Sequence, residues 1–178
     1  MKRWSRALRA IAGLVVVVVA GCGTKVSATP ADRDFVAAMA PHHRLGIALV
    51  KQAETRAKSV ELRRLVFDMH GYHHQEHSVL ERWADDWKVE PAKTFPGEIP
   101  EVRLRELDST TGIEFDLLWL TTMIEHHEGA IAISERALQS ESSEEVERFA
   151  LSTIDVQTAE IARMRELVQK LNSEFRNS

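Results

Sequence analysis

The chain has 178 residues, with 23 Lys and Arg against 27 Asp and Glu, eight His, one Cys and a net charge of −4. A single Cys excludes an internal disulfide, and no cluster of Lys and Arg is dense enough to follow a nucleic-acid backbone. The length is that of one domain around one core.

The first stretch, "MKRWSRALRA", carries four positive charges and no acid, and "IAGLVVVVVA" follows it. That apolar run of about ten residues is too short to span a hydrocarbon layer of about 30 Å. Residues 1–21 therefore read as the n-region and h-region of a signal peptide. The run ends at "VAGC", Val19–Cys22, which resembles a bacterial lipoprotein box. The resemblance implies acylation of Cys22, with palmitate among the chains, and an anchor on the extracytoplasmic face of the bacterial cell membrane. The alternative is a free Cys beside an ordinary cleavage site. Cleavage removes four of the 23 basic residues and none of the 27 acidic ones, taking the net charge from −4 to −8. Residues 22–31 read as a short tether.

From Phe35 onward apolar residues recur at intervals of three and four. The first stripe includes Phe35, Met39, Leu49 and Ala53, the second Leu62, Leu65, Met69, Leu80, Trp83 and Trp87. A third runs through Phe115, Trp119, Met123, Ala130, Ile133 and Ala137, and a fourth through Val146, Phe149, Met164, Leu167 and Leu171. This period predicts helices near 32–58, 59–87, 113–140 and 143–175. The segment 88–112 holds three Pro and joins the two halves. At about 3.3 Å per residue it is long enough to cross a bundle of about 40 Å.

The halves repeat. "MAPHHRLGIAL" at 39–49 returns as "MIEHHEGAIAI" at 123–133, an offset of 84. At the same offset Leu62 falls on Val146, Leu65 on Phe149, His73 on Gln157, Glu76 on Glu160 and Leu80 on Met164. A duplicated helical hairpin predicts an all-α fold, a four-helix bundle over 32–175 built from repeat one (32–87) and repeat two (113–175).

All eight His fall in three places: 42–43, 126–127, and the set 70, 73, 74, 77. The last set is spaced i, i+3, i+4, i+7, one stripe of four imidazoles. With a turn near Lys58–Ser59 and a rise of about 1.5 Å per residue, His42 and His43 stand level with that stripe, about 24 Å from the turn. His126 and His127 stand level with Gln157 and Glu160 in the second hairpin. Polar groups in an apolar interior cost free energy unless they are paired or liganded. They could pair with one another, His42 with a group on the second helix and His126 with Gln157 or Glu160, or the second His of each pair could face water. Two equivalent pairs and a four-His stripe at one level favour metal binding. The candidate ligands are His42, His43, His70, His73, His74, His77, His126 and His127, with Met39 and Met123 as thioether candidates and Glu76, Gln157 and Glu160 as supporting polar groups.

Imidazole suits copper, zinc, nickel and iron. No Glu is followed by His three residues later, so the di-iron bundle signature is missing, and "HEGAI" is not the His-Glu-x-x-His of a zincin. Nothing spaces Ser and Asp with His as a hydrolase triad. A binding role for copper or zinc is expected ahead of an enzyme. The alternative is a structural or protein-interaction module at the cell surface whose polar layer fixes helix register.

"FVAAMAPHH" and "LWLTTMIEHHEGA", followed by "QTAEIARM" at 157–164, resemble a bacterial family of secreted and lipid-anchored proteins, domain of unknown function 305. The likeness covers about 32–170 and implies a ferritin-like four-helix bundle. Some members are similar to periplasmic copper-binding proteins. This chain departs from the family pattern in its His-enriched "HHQEHSVL" at 73–80, and in Leu49 and Ile133 where Met is frequent. More imidazoles and fewer thioethers lean toward Cu(II), Zn(II) or a mixed His/Met site. If Cys22 is the anchor, Cys22→Ala releases the protein from the membrane fraction or blocks its processing, read by fractionation and mature mass. An unchanged mass in the membrane fraction refutes the anchor.

Overall fold

The structure, a computed structural model, describes residues 27–176. Cys22 and the expected signal peptide lie outside the described residues. Those residues form five helices and no strand: α1 (Pro30–Arg56), α2 (Val60–Trp87), α3 (Glu101–Ser109), α4 (Gly112–Leu138) and α5 (Glu144–Arg176). No helix among them is long and apolar enough to cross a membrane.

The helix starts are written locally. Thr29 accepts from the Asp32 N–H while Asp32 accepts from the Thr29 N–H, a capping box with Pro30 in the first turn. Ser59 accepts from the Leu62 N–H at the start of α2. Lys88 takes a left-handed conformation (φ 55°) and ends that helix. The segment 88–112, read from sequence as a link, carries α3 within it. α1 starts at Pro30, inside the stretch read as a tether.

Cross-helix pairs give the arrangement. Arg44 meets Glu81 and, further along α1, Glu54 meets His70 further back on α2, so α1 and α2 run antiparallel. α4 and α5, joined by the short turn 139–143, form the second antiparallel hairpin, with His127 meeting Glu160 and Glu128 meeting Arg165 across it. α1 lies antiparallel to α4 as well, with the Trp119 indole N–H donating to the Leu49 carbonyl at 2.8 Å. α2 faces α5 through the Asp68–Arg163 and Tyr72–Ser152 pairs. Both α2 and α4 oppose α1, so residues 88–111 must travel the length of the molecule.

Two apolar clusters form the core. One gathers Leu49, Leu62, Leu65, Met69, Phe115, Trp119, Met123, Met164 and Leu171. The other gathers Phe35, Met39, Leu80, Trp83, Ile133, Val146 and Ala150. Between them in every long helix lie the buried polar residues: His42 and His43, His73 and Glu76, His126 and His127, and Thr153, Gln157 and Glu160.

Each hairpin also holds the turn of the other. Asp116, fully buried on α4, accepts from the backbone N–H groups of Lys58 (2.8 Å) and Ser59 (2.7 Å) at the start of α2. Asp32, 84 residues earlier and equally buried, accepts from the Ser143 N–H at 2.8 Å at the start of α5. A carboxylate there satisfies backbone donors that a helix start leaves without partners. Asp116→Ala strands two of them, and the expected loss is about 3 kcal/mol in urea unfolding with the m-value unchanged. A loss within about 0.5 kcal/mol would show that the turn is held by packing alone.

Candidate metal centre

The histidine stripe of α2 splits by helical phase. At about 100° per residue, His70, His74 and His77 cluster on one flank, while Met69, His73, Glu76 and Leu80 point to the interior about a quarter-turn away. Only His73 of the four imidazoles is buried. The expectation of a single inward stripe is thus corrected: the spacing is right, but its centre lies beside the apolar face. His70 pairs with Glu54 of α1, and His77 lies 3.8 Å from Glu81. The second His of each pair does not face water, because His43 and His127 are 1% and 0% exposed.

Five imidazoles remain inside, and their rings close a circuit. His42 stacks on His126 with centroids 3.8 Å apart and a 12° tilt. His42 neighbours His43 at 6.0 Å, His43 neighbours His73 at 5.9 Å, His73 neighbours His127 at 5.4 Å, and His127 returns to His126 at 6.3 Å. The duplication is visible in the carboxylates. His43 Nε2 sits 2.9 Å from Glu76 Oε2 and His127 Nε2 sits 2.8 Å from Glu160 Oε2, each pair 33 residues apart. Thr153 donates to the other Glu76 oxygen at 3.3 Å.

Hydrogen bonds to carbonyls fix which nitrogen holds the proton, since a carbonyl can only accept. His42 Nε2–H donates to the His126 carbonyl (2.9 Å), His126 Nδ1–H to the Gly97 carbonyl (2.8 Å) and His73 Nδ1–H to the Met69 carbonyl (3.0 Å). In a neutral ring the opposite nitrogen then carries a lone pair. His42 Nδ1, His126 Nε2 and His127 Nδ1 are buried and have no hydrogen-bond partner. A backbone carbonyl or carboxylate on one nitrogen and a bare lone pair on the other is how a protein prepares an imidazole ligand. One ligand atom from each of His73, His127 and Glu160 lies within 4.8 Å of the others. Met39 and Met123 are fully buried, one in each apolar cluster. Gln157, at the place of His73 in the second repeat, is buried with an unpartnered Oε1.

The crossover was not legible as part of the site. Pro41 has no N–H to give the Ala37 carbonyl, and the Ala92 N–H takes that acceptor at 2.8 Å. Further along, Phe95 sits edge-on to His42 with centroids 5.8 Å apart. Gly97 (φ 77°) packs so closely that a Cβ there would stand 2.9 Å from His42 Nε2. A Cβ on Gly129 would stand 2.3 Å from Gly97 Cα, so two glycines let the strap lie on α4 over the stacked pair. On the inner side, a Cβ on Gly46 would come to 3.0 Å of His126 Nε2, so this glycine keeps space open beside a bare nitrogen. "Pro-Gly" in the link was the one sequence signal for the strap.

Burial holds His42, His73, His126 and His127 neutral. It pushes His126 and His127 down to about 3 and His73 to about 4. His42 is lowered well below its ordinary value by burial and then by the neighbouring His126. Burial raises Glu160. In the unfolded chain these His titrate near their ordinary 6.5, so below that value the unfolded state binds more protons and stability falls with pH. Each His contributes up to about 1.4 kcal/mol per pH unit in that window. Glu160 opposes them, because its folded form keeps a proton at pH values where the unfolded chain has lost it. The metal-free protein should show a urea midpoint that falls from pH 7 to pH 5, and His73→Gln should flatten the fall. A midpoint independent of pH in that range would mean that the folded layer is already charged.

The sequence matches the profile of the domain of unknown function 305 (DUF305) over residues 32–168. No curated protein matches it in sequence. Among solved structures the chain is similar to a DUF305 fragment from Deinococcus radiodurans, with 25% identity and a TM-score of 0.73, covering 80% of this chain and 98% of that one. It is similar to a DUF305 protein from Streptomyces coelicolor, with 21% identity and a TM-score of 0.73 over 80% of this chain and 94% of that one. CopM in its Cu(I)-bound form is also similar in fold, with 23% identity and a TM-score of 0.68 over 78% of this chain and 96% of that one. The profile spans both hairpins and every residue of the buried histidine layer, and the chain belongs to the DUF305 family.

Proposed function

We propose that this chain is an envelope lipoprotein that binds a transition metal, copper ahead of zinc, within a ferritin-like four-helix bundle. The signal peptide of residues 1–21, the anchor at Cys22 and the bundle from residue 32 belong to the same reading. The observation that carries it is the set of bare, neutral imidazole nitrogens whose opposite nitrogens are held by carbonyls or a carboxylate. Left unliganded, each such buried nitrogen costs about 1–3 kcal/mol. A borderline-soft cation replaces that cost with a coordinate bond, and neutral imidazole is the ligand form it needs.

His73, His127 and Glu160 would form the nucleus of the site. His42 and His126 would add lone pairs from the stacked pair. His43 and Glu76 support the layer from the first hairpin. Met39 and Met123 flank the layer and supply the thioether option that Cu(I) favours. CopM, which shares the fold, is known in Cu(I)-, Cu(II)- and Ag-bound forms. The ion here is cargo, held or handed on, and nothing in this reading calls for turnover. The competing reading, a metal-free structural layer, is favoured by the hydrogen-bonded His43–Glu76 and His127–Glu160 pairs.

Titration of the full-length protein with Cu(I), Cu(II) and Zn(II) separates the two. His73→Ala combined with His127→Ala should weaken the tightest class roughly 100-fold or more, because two ligands leave together. It should also destabilise the metal-loaded protein more than the metal-free one. Unchanged affinity in a folded double variant would leave the layer a structural device.

A further inference from the structure

The outward flank of α2 carries a second constellation. His70 and His74 stand four residues apart on one face, with ring centroids 4.5 Å apart and tilted by 42°. The His70 Nδ1 is hydrogen-bonded to the Glu54 carboxylate of α1. The site is open to water: the His70 side chain is 42% exposed and that of Glu54 36%. Gly71, next in the chain, has nothing within 4 Å of where a Cβ would be. His77, one turn further, lies near Glu81, which is itself held by Arg44 at 2.7 Å, so the free set ends at His74.

We infer that His70 and His74 form a solvent-facing divalent-cation site, with Glu54 as its positioning carboxylate, separate from the buried layer. Two imidazoles at i and i+4 on one helical face are a spacing that holds Zn(II). The carboxylate takes the His70 Nδ1–H and leaves the Nε2 lone pair free, the same device that orients the inner ligands. Water completes the coordination. Two nitrogens and water suit Zn(II), Cu(II) and Ni(II), and the site lacks the thioether that Cu(I) prefers. A surface ion pair between His70 and Glu54 alone would contribute little and would not need His74.

Zn(II) alone is the probe, titrated by calorimetry into the full-length protein at pH 7.5. His70→Ala with His74→Ala should remove one binding equivalent, weakening that class roughly 100-fold or more through loss of the chelate. Glu54→Gln should weaken the same class about tenfold. His73→Ala with His127→Ala should leave it in place. If the wild-type protein binds Zn(II) only at the class that needs His70 and His74, this inference stands and the buried layer is not a Zn(II) site, its copper reading being decided by the copper titrations. If the His70/His74 double variant keeps every class of the wild type, or if the wild type binds no Zn(II), the inference is overturned. His70, His74 and Glu54 lie outside the core, and unchanged circular dichroism confirms that each variant, the buried His73/His127 pair included, still folds.

Discussion

The hydrogen bond from an imidazole N–H to a backbone carbonyl is the interaction on which the interior depends. Its shortest instances are made by His42, His73 and His126, to the carbonyls of His126, Met69 and Gly97. Each bond locks a ring, chooses its tautomer and aims the remaining lone pair inward. Without these bonds five imidazoles between two apolar clusters would be a liability, since an unpaired buried polar group costs more than a made hydrogen bond returns. With them the layer is rigid and partly unsatisfied, in the one way that suits a cation. Burial then keeps His42, His73, His126 and His127 neutral, which is the form that ligates.

The duplication supplies the frame around that layer. Asp32 and Asp116 occupy equivalent places and reach across to equivalent turns, so each hairpin closes the other. His43–Glu76 and His127–Glu160 repeat the same pairing across the two hairpins. Two buried carboxylates tied to backbone donors in this way set the height of one hairpin against the other. That height is what brings the paired His of α1 and α4 to one level.

The chemistry enters where the repeats differ. His73 has Gln157 as its counterpart, so only the first hairpin contributes a third imidazole. Gly46 has Ala130, so only one side leaves room beside His126 Nε2. The crossover exists once, and its strap covers only the stacked pair. Pro41 frees the Ala37 carbonyl that holds the strap's first half, and Gly97 with Gly129 allows the second half to come close. A repeated all-helical frame is thereby given one distinct face.

Periodicity and the 84-residue offset determined the four long helices, their pairing into hairpins and the common level of the histidines, because helix rise and hydrophobic phase are local properties of the chain. The short α3 in the link escaped, since nine residues with one buried side chain leave too little periodicity to detect. Tertiary structure alone decided which way each imidazole faces. His73 and His74 are neighbours in sequence, yet one turns to the core and the other to solvent, and that choice follows from how α2 is rotated against α1 and α5. It also decided the strap, because a carbonyl freed at Pro41 and a glycine gap at Gly129 acquire meaning only when residues far along the chain arrive to fill them.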